Sequence, residues 1–202
     1  MIQTIVFSDE HYDHAITVME SYLSKAINLT THSKAWIINT MAMLEHQGGE
    51  HEKSIRRFYD VEILLSQEKT STPELEFELL FAWEYIANIK FLLEDYDGAI
   101  EIFSHLIENE TPQDNFTNYL SYINLADSYL EIGKSQEALV TIQELQKRLP
   151  QIPQEERPEI EANIHDILAN IFMMEGNLPQ AYSHLQQSEA FYNEQNDTLL
   201  LN

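Results

Sequence analysis

Cysteine is absent, which excludes disulfides, thiolate nucleophiles and cysteine-ligated zinc or iron–sulfur sites. Glycine and proline are scarce, five and six residues among 202. The apolar residues recur at helical spacing, so helices are expected rather than a sandwich or barrel with its many turns. Long hydrophobic runs are missing, and no stretch approaches the roughly 18 apolar residues of a membrane span. The opening segment, Met1-Ile2-Gln3-Thr4-Ile5-Val6-Phe7-Ser8-Asp9-Glu10, lacks a basic start and turns acidic too soon for a signal peptide. A cytoplasmic location is therefore expected, and the Asn-x-Ser/Thr matches at Asn28, Asn115 and Asn196 carry no weight. Basic residues are the last scarcity: 11 Lys and Arg stand against 34 Asp and Glu, a formal charge of −23. Binding to nucleic acid or anionic lipid needs cations to neutralise phosphates, so neither is expected as a direct partner, and cationic or apolar ligands are favoured.

What the chain has in abundance is self-similarity. Asp95-Tyr96-Asp97-Gly98-Ala99-Ile100 has the same shape as Gly133-Lys134-Ser135-Gln136-Glu137-Ala138-Leu139. Gly176-Asn177-Leu178-Pro179-Gln180-Ala181-Tyr182 and Gly49-Glu50-His51-Glu52-Lys53-Ser54-Ile55 follow it, as does His11-Tyr12-Asp13-His14-Ala15-Ile16. Each is a tight turn followed by a helix with a small residue near its start. Twelve residues before the small residue stands another, Ala42, Ala87, Ala126 or Ala169, preceded by Met41, Ile86, Leu125 or Leu168. Four residues after it comes Phe58, Phe103, Ile142 or Leu185. Small residues at both places let two antiparallel helices approach closely, and the large ones fill the space between successive pairs.

This spacing resembles the tetratricopeptide repeat across about 35–192, with Tyr122, Leu125, Ala126, Tyr129, Gly133, Ala138, Ile142 and Pro150 matching nearly every family position in the third unit. The resemblance implies an all-α, right-handed solenoid of antiparallel helix pairs, about four repeats plus an N-terminal helix. The units of a single domain over 1–202 would be about 9–28 (partial), 35–67, 80–110, 119–150 and 162–195. The anchors at 15, 54, 99, 138 and 181 are separated by 39, 45, 39 and 43 residues, against the family's 34, so longer helices or connections are expected. Thr72-Pro73-Glu74 and Thr111-Pro112 each place a capping hydroxyl before a first-turn proline. The helix at about 73–94 would run roughly 33 Å. Stretched repeats of this kind are also similar to the peptide-sensing domains of Gram-positive peptide-pheromone receptors. The unit around Ala15 contains only a second helix, and no polar capping helix follows Asp197-Thr198-Leu199-Leu200-Leu201-Asn202. A missing N-terminal domain, an unusual cap or self-association through an end is expected.

In tetratricopeptide arrays the first helix of each pair lines the concave face. By that resemblance the groove carries Trp36, Asn39, Met43 and His46 in the first unit, and Phe81, Glu84, Asn88 and Phe91 in the second. The third adds Leu120, Ile123, Asn124, Asp127 and Glu131, and the fourth Asn163, Asp166, Asn170 and Met173. Asparagine amides can hold an extended peptide backbone whatever its sequence, while aromatic and Met pockets choose side chains. Some chaperone-serving members of the family grip a C-terminal carboxylate with two asparagines and three basic residues. Here Asn88 and Asn124 match the asparagines, but Glu84, Asn163 and Ile167 replace the cations. Acidic chain ends should be repelled, and Lys, Arg or an N-terminal amine preferred.

Catalytic chemistry is not legible. There is no Ser–His–Asp arrangement, nucleophile elbow or phosphate-binding glycine loop, so no enzyme and no cofactor are expected. His11 and His14 beside Asp13, and His46 and His51 beside Glu45, Glu50 and Glu52, are candidate metal ligands, weighed against solvated or partner-facing histidines. The stripe Phe81, Trp83, Tyr85, Phe91 and Tyr96 reads as core, and Arg56-Arg57 is too small for a nucleic-acid patch. The expected function is a scaffold that binds a peptide or partner protein. The alternative is the sensing domain of a bacterial transcription regulator whose DNA-binding part lies outside this chain. A homodimer through Ile2, Ile5, Val6 and Phe7, or through Leu199 to Leu201, is a further possibility.

Overall fold

In the computed structural model, residues 9–109 and 119–200 are described, and among them there are nine α-helices and no strand. They are α1 (Asp9–Lys25), α2 (Thr31–Gln47), α3 (His51–Leu65), α4 (Pro73–Leu92), α5 (Tyr96–Glu108), α6 (Tyr119–Glu131), α7 (Ser135–Arg148), α8 (Arg157–Met174) and α9 (Leu178–Leu200). A short 3-10 turn, Leu149–Gln151, follows α7. Two compact units divide the chain, Met1–Leu93 and Glu94–Asn202. The 45- and 43-residue anchor spacings are explained by a 20-residue α4 and an 18-residue α8, whereas the 39-residue spacing holds a 13-residue α6. The Thr72 hydroxyl caps α4 by accepting from the amide of Leu75, and Pro73 occupies the first turn, where its missing N–H has no intrahelical partner to lose. Thr111 and Pro112 lie outside the described residues.

The small anchors sit where the repeat logic requires. Ala42, Ser54, Ala87, Ala99, Ala126, Ala138, Ala169 and Ala181 are all buried. Between α2 and α3 the approach is close enough for the Ser54 hydroxyl to donate to the Ala42 carbonyl at 2.7 Å. The turns joining such pairs share one chemistry. Gly49, Gly133 and Gly176 adopt φ of 83°, 76° and 73°. The next amide, of Glu50, Lys134 or Asn177, donates at 2.8 Å to the carbonyl of Glu45, Tyr129 or Phe172. Left-handed φ at these positions is nearly free for glycine and closes the orphan carbonyls of the helix end. Between α4 and α5 the same conformation falls on Glu94, at φ 63°, where an L side chain crowds its own carbonyl.

In the first unit, Ile16 of α1 packs on Ile37 and Met41 of α2, and Phe58 of α3 is covered by Phe81 and Tyr85 of α4 with ring centroids 6.4 and 5.3 Å away. The Arg57 guanidinium joins three helices. It donates to buried Glu45 of α2 at 2.8 Å and to Glu20 of α1 at 2.8 Å, and Lys53 approaches Glu45 at 3.2 Å. In the second unit, Tyr122 and Ala126 of α6, Ile142 and Leu145 of α7, and Ile160 and Ile164 of α8 belong to one core. The large residue four places past the anchor is fully buried in α3, α5 and α7, as Phe58, Phe103 and Ile142. In α9 it is not. Leu185 is 41% exposed, because among the described residues no helix covers its side of α9.

Two stability changes follow. Glu94→Gly should raise stability by about 0.5–1 kcal/mol, since relief of left-handed crowding outweighs the added freedom of the unfolded chain. Urea unfolding of the two proteins measures it, and an unchanged or lower midpoint would contradict the account. Arg57→Met should lower stability by about 2–4 kcal/mol, the lower range for breaking a buried pair because Lys53 still faces Glu45.

Candidate functional site

In the second unit the first helices of the repeats, α6 and α8, pack side by side and bring polar residues together. Asn124, Asp127 and Glu131 recur at intervals of three and four along α6, which places them on one face. Asn163, Asp166 and Asn170 do the same along α8. Asp127 is half-buried and its carboxyl is pushed up to about 6, first by loss of water and then by the charges of Glu131 and Asp166. Burial and both neighbouring acids push the Asp127 carboxyl in the same direction. From α9, the Tyr192 hydroxyl donates to Asn163 Oδ1 at 3.1 Å, and its ionisation is held up by burial, then by Asp166 and Glu159. Beside this face His165 and His184 meet with Nδ1 atoms 2.9 Å apart, and Phe172 stacks on His184 at 5.4 Å. Burial and then the neighbouring His184 lower the His165 pKa, and one proton shared between the facing nitrogens satisfies both rings.

The first unit offers a different surface. Trp36 is 55% exposed and lines a shallow cavity of about 430 Å³ with Tyr22, Leu29, His32, Ser33 and Ile37. Met43 is half-buried on the same helix. On α4, Phe81 is half-buried against Phe58 and Tyr85. Burial raises the Glu84 carboxyl pKa, and Asn88 and Phe91 are half-buried.

The aligned groove positions differ in their surroundings. Asn39 is buried, its amide donating to the Glu78 carbonyl at 2.9 Å and to Glu78 Oε2 at 2.7 Å, so it ties α2 to α4 and is spent internally. Ile123 faces the core of the second unit and is buried there. Ile167, aligned with a cation of the carboxylate-gripping relatives, is likewise core. Asn170 and Met173 are exposed. His46 and His51 do meet, Nδ1 to Nδ1 at 3.1 Å, and burial followed by His51 lowers the His46 pKa. Among the described residues no three His, Cys, Asp or Glu side chains are grouped to hold a metal. The sequence reading missed Tyr192, Tyr22 and the His165–His184 pair. Only Tyr22 carries a signal that could have found it, as an aromatic residue on the helix preceding Trp36.

The paired-helix architecture, with small anchors and left-handed turns repeated along the chain, is that of α-helical repeat scaffolds, which offer surfaces to proteins. Residues 121–151 match the family model described as the tetratricopeptide repeat, so the chain carries a tetratricopeptide repeat there and the wider resemblance to that family holds. Solved structures agree on the fold. A Podosopora anserina kinesin-light-chain-type protein with nearly identical TPR-like repeats superposes with TM-score 0.69 at 14% identity, over 93% of this chain and 88% of that one. MamA from MSR-1 gives 0.59 at 13% identity, over 92% and 90%. BtubC from P. vanneervenii gives 0.52 at 11%, over 93% and 91%. No curated protein matches the sequence. Among the described residues no helix is long and apolar enough to cross a membrane.

The elevated Asp127 value carries a sign. Its folded pKa, about 6, lies above the ordinary 3.8, so ionisation opposes folding: the penalty is absent below the ordinary value, grows between the two and is complete above the folded one. Asp127→Asn should therefore be more stable than the parent at neutral pH by about 1–2 kcal/mol, discounted from the full linkage for relaxation and solvent. The advantage should vanish in acid. Urea titrations across pH measure it, and a difference independent of pH would rule the account out.

Proposed function

We propose that this chain is a non-enzymatic scaffold whose first-helix surfaces bind a peptide or a flexible segment of a partner protein, basic or apolar in character. The observation that carries the reading is the α6/α8 face, where Asp127, Glu131 and Asp166 are gathered next to carboxamides and the Asp127 carboxyl is pushed up to about 6 by lost water and then by repulsion from the other two. A lysine, an arginine or an N-terminal amine seated there supplies a counter-charge and relieves that repulsion, and neighbouring carboxamides suit a peptide backbone. Trp36 and its cavity supply an apolar complement on the first unit, suited to an aliphatic or aromatic side chain. The formal charge of −23 steers cationic ligands toward the protein and turns acidic tails away.

The test is a peptide-array screen at low and high salt, followed by calorimetry on the strongest sequences. Basic and apolar peptides should bind and acidic ones should not. Asp127→Asn combined with Asp166→Asn should weaken the basic peptides at least about tenfold, the loss of one charge-assisted contact, and leave apolar ones less affected. Affinity for basic peptides should also fall as pH drops below 6. Tight binding of acidic tails, or basic-peptide binding indifferent to the two substitutions, would overturn the proposal.

A further inference from the structure

α9 meets α8 through Ala181, His184, Ser188 and Phe191, which are buried or half-buried. A second stripe, about 100° around the helix, is turned to solvent: Leu178, Tyr182, Leu185, Glu189 and Tyr192, spaced by four, three, four and three residues. Leu178 and Tyr182 are 66% and 64% exposed. The same register occurs in α3 as Ile55, Phe58, Glu62 and Leu65, each buried or half-buried in the unit where α4 packs on α3. It occurs in α7 as Leu139 and Ile142, in one core with Ile160, Ile164 and Ile171 of α8. The stripe on α9 therefore has the composition of a helix-covered face, and among the described residues no helix covers it. Alternation of three and four is the seam spacing of packed helices.

The charge along this helix identifies what covers it. The protein repels copies of itself with a formal charge of −23. Yet between Leu178 and Asn193 it has one acidic residue, Glu189, and no Lys or Arg. The stripe is also complementary to its own reverse. With two α9 helices antiparallel and Leu185 at the centre, Leu178 faces Tyr192 of the other copy, and Tyr182 lies one residue's rise, about 1.5 Å, from the level of Glu189, within reach for its phenol to donate to that carboxylate. The single acid is thereby partnered and the apolar residues meet apolar ones. We infer that the exposed face of α9 is a two-fold interface that pairs this chain with a second copy of itself. A patch that complements itself closes on a dimer rather than running on into a filament. This surface shares Tyr192 with the α6/α8 face, where its hydroxyl meets Asn163, but the oligomeric state is read independently of the proposed peptide binding. The stripe differs from the end segments weighed as dimer contacts in the sequence, since Ile2 to Phe7 and Leu201 lie outside the described residues and the Leu199 and Leu200 side chains are not described.

Sedimentation equilibrium of the full chain from low to high micromolar concentration tests it. The expected result is a dimer of twice 23.6 kDa. Leu185→Glu and Leu185→Lys, at a position already open to solvent, should each give a folded monomer, verified by circular dichroism and thermal melting. Mixing the two variants should restore the dimer, because position 185 lies next to its own symmetry mate and the new charges then pair. A parent that stays monomeric overturns the inference. So does a dimer that survives both substitutions, or a mixture of folded variants that remains monomeric. Occupation of the bare stripe by a different protein in place of a second copy would appear as the first of these.

Discussion

Each helix pair depends on two small side chains. Ala42 with Ser54, Ala126 with Ala138, and Ala169 with Ala181 are buried where a first helix meets its second, and any larger residue would force the axes apart. Close approach leaves little chain for the connection, so the turn must reverse within a few residues, and a left-handed residue is the compact way to do it. Hence Gly49, Gly133 and Gly176 recur five positions ahead of Ser54, Ala138 and Ala181. Glu94 keeps the geometry without the glycine, which shows that the packing dictates the turn and not the reverse.

A chain with so large an excess of acid must place its carboxylates with care. One solution is internal: Glu45 is buried because Arg57 and Lys53 reach it, and Arg57 extends the network to Glu20. Glu78 is buried against Asn39 and approached by His32. The α6/α8 face is the opposite case. There Asp127 loses part of its water and stands beside Glu131 and Asp166, and its carboxyl responds by holding its proton to higher pH. Folding alone gains nothing from such an arrangement, which is why the proposed ligand surface is this face rather than the paired acids.

The sequence made the repeat plain because its signals are local and additive: a small residue, another twelve positions earlier and a turn recur in phase. The same logic located the first-helix surfaces, and Trp36, Asp127 and Asp166 lie on them. It failed where a side chain's direction depends on a partner far along the chain. Asn39 and Ile123 occupy groove positions by alignment, but one is drawn inward by Glu78, 39 residues away, and the other rotates into the second unit's core. The His165–His184 contact spans 19 residues and two helices, and no spacing rule marks it. His46 and His51 were visible as a pair only because the turn between them is short.

The amino-acid sequence by itself thus determined the all-helical class, the pairing of helices and the anchors that hold them, since periodicity, small residues and turn chemistry act within a few turns of chain. The tertiary structure decided which polar residues are spent inside and which remain at the surface. It also decided that Leu185 stays bare while Phe58 and Ile142 do not. Burial and the shift of a carboxyl group depend on what a distant helix brings alongside, and that neighbour is not encoded at the position it covers.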